Sequence, residues 1–105
     1  MISVHVTQMF SVKADRETLE RQADALMDAL LEAEKKTGRV HSAAVSVDFG
    51  AETVEVEVTS DAQDRAEAYD AERACQEEVD KAIYAVSGTV PIVRERHSEM
   101  VPVLA

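Results

Sequence analysis

The stretch Ala43-Ala44-Val45-Ser46-Val47-Asp48-Phe49-Gly50-Ala51-Glu52-Thr53-Val54-Glu55-Val56-Glu57-Val58 alternates apolar and polar residues on both sides of Gly50-Ala51. It reads as a β-hairpin with one dry face and one wet face. A Gly-first two-residue connection predicts a type II′ turn. Folding there sets Phe49 opposite Glu52, Val47 opposite Val54, Val45 opposite Val56 and Ala43 opposite Val58. A slip of one residue would carry Glu55 and Glu57 into the core, so the pattern itself fixes the register.

On the N-terminal side of the hairpin, residues from about Ile2 to Val12 read as a first strand. Ile2, Val4, Val6, Phe10 and Val12 share one face, and Gln8 interrupts it, which predicts a bulge or strand end there. Asp15 is placed to cap a helix in which Leu19, Ala23, Leu26, Met27, Leu30 and Leu31 recur at helical spacing. Lys35 and Lys36 suit its negative end, and Gly38 its termination. On the C-terminal side, Ser60 and Gln63 read as an S-x-x-Q capping box opening a second helix that runs to about Ser87 and stops at Gly88. Cys75, Val79, Ala82, Ile83 and Val86 form its apolar stripe. Residues 89–95 are β-prone, but Pro91 confines such a strand to an edge.

The chain has 105 residues, only two Phe, two Tyr and no Trp, so a single core must be built from aliphatic side chains. The element order β-α-β-β-α with a short last β closes most economically as an antiparallel sheet with both helices on one face. With Val45 to Phe49 and Val54 to Val58 as its central hairpin, the chain resembles the ferredoxin-like superfold across residues 1–95. That resemblance implies an α+β plait of strand order 4-1-3-2, its last strand short or absent, followed by an apolar tail over 96–105. The segments Met9-Phe10-Ser11-Val12, Asp24 to Glu32 and Thr53 to Thr59 also resemble small acidic bacterial proteins of this layout. The superfold hosts enzymes, metallochaperones, sensors and RNA binders, so it carries no function across.

Twenty-one acidic residues against eleven basic ones give a formal charge of −10, which repels nucleic acid and anionic membranes at long range. The wet sheet face presents Glu55 and Glu57 and no aromatic residue, so base stacking on it is not expected. Neither a membrane nor nucleic acid is therefore expected as a direct partner. The single cysteine and a strand-like start without a basic leader point to a cytoplasmic protein. No paired cysteines, nucleophile triad, phosphate-cradling loop or nucleotide fingerprint is present. Small oxygenases of this fold use a polar pocket in a dimeric barrel, and no residue set for one is legible. The expectation is a non-enzymatic binding module without a cofactor or bound metal.

Three candidate surfaces remain. His5 could approach Glu55 and Glu57 on the open face, a set suited to a small ligand or a divalent cation. Asp61, Asp64, Glu67 and Asp70 step by three along the start of the second helix, suiting a basic protein partner or imitation of nucleic-acid phosphate. Val101, Val103 and Leu104 make the tail apolar, and the second strand is an unprotected edge. Both features predict a homodimer formed through helices, edges or tail.

Overall fold

Alternation, capping and helical periodicity resolve into six elements in the computed structural model, which describes residues 1–88 and 93–103. They are β1 (Ile2–Ser11), α1 (Arg16–Thr37), β2 (His41–Asp48), β3 (Thr53–Ala62), α2 (Arg65–Ser87) and β4 (Val93–Pro102). The strands form one antiparallel sheet in the order β2-β3-β1-β4, the ferredoxin-like plait that the sequence predicts.

The even positions of β1 and β3 point to the helices. Val4, Val6, Phe10, Val54, Val56 and Val58 are buried there with Leu19, Leu26 and Leu30 of α1 and Cys75, Val79 and Ala82 of α2. Each of these larger side chains contributes about 1.5–3 kcal/mol by leaving water. Gln8 belongs to the same inward row and is fully buried. The β1–β3 ladder runs unbroken past it from Ile2↔Ala62 to Ser11↔Thr53, so no bulge or strand end occurs in that pairing. The register shift in β1 lies instead between Met9 and Phe10, on its β4 side.

The hairpin keeps the expected register from Asp48↔Thr53 through Val47↔Val54 and Val45↔Val56 to Ala44↔Glu57. A shift between His41 and Ala44 then sets His41 opposite Thr59 and removes the Ala43–Val58 pair. Ser42, at φ 54°, supplies the extra residue's left-handed backbone. The turn is not type II′. Residues 49–52 form a four-residue connection in which the Ala51 N–H donates to Asp48 Oδ1 at 3.0 Å and Glu52 takes φ 54°. Phe49 accordingly lies outside the ladder, with the Arg16 guanidinium 4.5 Å above its ring.

Both helices carry their caps in the expected style, but one cap is displaced. The Thr18 N–H donates to Asp15 Oδ1 at 2.7 Å, and this holds the Asp15 carboxyl below its ordinary range. On α2 the cap is Asp64, not Ser60. The Glu67 N–H donates to Asp64 Oδ1 at 2.8 Å while the Gln63 N–H donates to Glu67 Oε2 at 3.1 Å. Ser60 remains in β3, paired with Val4. Gly38 and Gly88 end the helices at φ 63° and 73°, backbone that a Cβ would strain.

The last strand is ten residues long. Residues 96–102, expected as a tail beyond the domain, pair along β1 from Gln8↔Arg96 to Ile2↔Pro102. Part of the expected edge segment, residues 89–92, lies outside the described residues.

Candidate functional site

At the end of the sheet where β1 runs out, the short link from β1 to α1 and the last turns of α2 border the same space. The Val12 N–H donates to Glu52 O at 2.8 Å and ties this exit to the hairpin turn. Among the described residues the space between sheet and helices is incompletely filled here, leaving a cavity of about 610 Å³. Its apolar wall comes from Phe10 and Val12 of the β1 end, Leu26 of α1, Val54 of β3, and Ile83 and Val86 of α2. Ala14 and Ala23 also line it, and their small side chains leave the volume open. Polar groups come from Ser11, Lys13, Thr18, Gln22 and Ser87. The Ser87 hydroxyl donates to Ile83 O at 2.8 Å. Among the described residues of the lining, Lys13 is the one that carries a charge. An apolar chamber with a few hydrogen-bonding groups suits a compact organic molecule rather than a highly charged one.

No catalytic motif marks these residues in the sequence. Phe10, Leu26, Val54, Ile83 and Val86 read as core, since periodicity separates dry from wet but not filled from hollow. The one available signal is Ala23, a small residue in a stripe otherwise served by Leu and Met.

The structure distributes the sequence-predicted site residues differently. His5 faces Thr59 across the β1–β3 ladder, while Glu57 faces Thr7 and Glu55 faces Met9. The His5 ring shares hydrogen bonds with Thr59 Oγ1 at 3.0 Å and Ser3 Oγ at 3.3 Å, so hydroxyls rather than the two carboxylates engage it. Glu55 instead borders a depression of about 280 Å³ with Thr7, Met9, Glu95 and His97. Among the described residues no group of three His, Cys, Asp or Glu side chains is placed to hold a metal ion.

The acidic series also divides. Asp61 is in β3 and lies 3.0 Å from His41 Nε2, Asp64 and Glu67 are engaged in the helix cap, and Asp70 is exposed on α2. Asp61, Asp64, Glu67 and Asp70 therefore do not form one helix face. Val101 pairs with Ser3 in the sheet, and the Val103 N–H donates to Met1 O at 2.9 Å. Leu104 lies outside the described residues. No helix among the described residues is long and apolar enough to cross a membrane.

Comparison with protein-family models and with curated proteins gives no match. Solved structures do match over the whole chain. A protein of Chloroflexus aurantiacus J-10-fl, provisionally named an antibiotic biosynthesis monooxygenase, is 18% identical, with a TM-score of 0.54 over 100% of this chain and 96% of its own. A protein of Bordetella bronchiseptica with the same provisional name is 18% identical, with a TM-score of 0.56 over 99% of this chain and 100% of its own. A dimeric ferredoxin-like protein of unknown function from Thermobifida fusca is 13% identical, with a TM-score of 0.51 over 98% of this chain and 92% of its own.

At these identities the likeness establishes the fold. It also corrects the expectation of a non-enzymatic binding module, including its open-face ligand and acidic-inhibitor variants. That expectation rested on missing catalytic motifs, yet solved structures of the same fold are named as monooxygenases. The absence of a nucleophile, nucleotide or metal signature does not argue against an enzyme on this scaffold.

Proposed function

We propose that this chain is a small oxidising enzyme of monooxygenase type whose substrate is a compact, largely apolar organic molecule held in the cavity between β1, α1 and α2. The observation that carries this reading is the cavity itself, about 610 Å³ with an aliphatic wall and a few hydroxyl and amide groups. The structural neighbours named as monooxygenases supply the reaction class. Its test is dioxygen uptake with a panel of hydroxylated and keto aromatic compounds, with and without an added reductant. Ala23→Trp, which fills the chamber from the α1 side, abolishes both uptake and ligand binding. Uptake by that variant at the wild-type rate would overturn the reading.

The chain acts as a homodimer in this reading. Support comes from the dimeric Thermobifida fusca neighbour, the unprotected β2 edge and the exposure of Val101 and Val103 beside the open face of the sheet. Soluble, cytoplasmic operation fits the acidic composition and the single buried cysteine.

A further inference from the structure

The cavity wall is charged unlike the molecule around it. Twenty-one of the 105 residues are acidic, yet among the described residues of the lining none is, and the charge there is the cation of Lys13. Lys13 lies in the link between β1 and α1 and is exposed. Its stem can cover apolar wall while its ammonium stays in water at the rim. Among the described residues no carboxylate lies within ion-pair distance of it. Asp15, the acid nearest to it in sequence, is engaged by the Thr18 N–H at the start of α1.

Thr18 and Gln22 stand one turn apart on α1 and line the same cavity. Gln22 is half-buried, and its amide has no hydrogen-bond partner among the described residues. An ammonium offers three donors and no acceptor, and the amide and the hydroxyl can add donors beside it. An ionised carboxylate only accepts, and it carries the charge that Lys13 lacks. The aliphatic wall behind them suits an apolar body attached to that head. A doubly charged ligand would set a second negative charge against one ammonium in a chain of formal charge −10.

We propose that Lys13 selects a singly charged organic anion, a carboxylate on an apolar body, with the Gln22 amide and the Thr18 hydroxyl donating to the oxygen that the ammonium leaves free. This inference rests on the cavity being the ligand site and narrows the substrate class to monocarboxylates.

The test compares 2-naphthoate with naphthalene, each followed by its own fluorescence in a protein without Trp. The wild-type protein binds both, and Ala23→Trp, which fills the chamber, loses both. Lys13→Gln, a change at an exposed position, keeps the melting temperature and the affinity for naphthalene. It weakens 2-naphthoate about fivefold at low ionic strength. Salt supplies an independent sign, because screening weakens an anion held by a nearby cation but helps one repelled by a negative chain. Rising salt therefore lowers the wild-type affinity for 2-naphthoate and raises that of Lys13→Gln. With naphthalene still bound by the wild-type protein, unchanged 2-naphthoate affinity in Lys13→Gln overturns the carboxylate site alone. So does 2-naphthoate binding that survives Ala23→Trp. Failure of both probes to bind the wild-type protein overturns the cavity reading, and the carboxylate site with it.

Discussion

Cys75 behaves chemically as a small aliphatic residue. It is fully buried on the apolar stripe of α2, and burial pushes its thiol up to about 11. Almost no thiolate is present near neutral pH, and reagents have no path to the sulfur. In native buffer at pH 8, dithionitrobenzoate labelling therefore tracks global unfolding, and denaturant accelerates it in step with loss of helicity. Labelling faster than unfolding would mean that α2 lifts off the sheet locally. This burial was legible from the sequence, because Cys75, Val79 and Ile83 repeat at helical spacing. The role of Gln8 was not. Periodicity shows that a polar residue interrupts an apolar row, but not that Arg96, eighty-eight residues away, will meet it. From the sequence, the interruption therefore reads as a bulge or a strand end.

Among the elements, the start of α2 shows how a local motif can lose to a ladder. Ser60 and Gln63 have the spacing of a capping box, but β1 is ten residues long and pairs as far as Ile2↔Ala62. That pairing keeps Ser60 extended and moves the helix start to Asp64, where Asp64 and Glu67 repeat the same reciprocal arrangement. Asp64→Ala should cost about 1 kcal/mol in urea denaturation. An equal loss on removing only the Ser60 hydroxyl would contradict the assigned cap. The hairpin is similar: its register followed from alternation, which samples many residues, whereas its turn type depended on the Asp48 side chain and the Glu52 backbone. β4 was legible only in part, because most of its side chains are exposed. Its backbone pairing with β1 holds it in place, and that bond pattern leaves little trace in hydropathy.

For the molecule as a whole, the strand order and the placement of both helices on one face followed from element order and the handedness of crossovers. The cavity did not, since emptiness is a property of how volumes sum rather than of any residue. The arrangement leaves one sheet face without a helix and two strand edges, β2 and β4, at its borders. A chain of 11.5 kDa should therefore sediment at twice that mass at tens of micromolar. A single-chain mass at that concentration would remove the homodimer from the proposed function.

The pairing of β1 with β4 also bears on how the protein is made. Ile2 meets Pro102 and Phe10 meets Val93, so a central strand synthesised early acquires its second neighbour only after both helices and the hairpin have left the ribosome. Until then one border of β1 is an open template for any extended chain nearby. Such long-range closure is slow compared with helix or hairpin formation. Nascent chains stalled before residue 93 should therefore be the species that chaperones hold and that aggregates recruit.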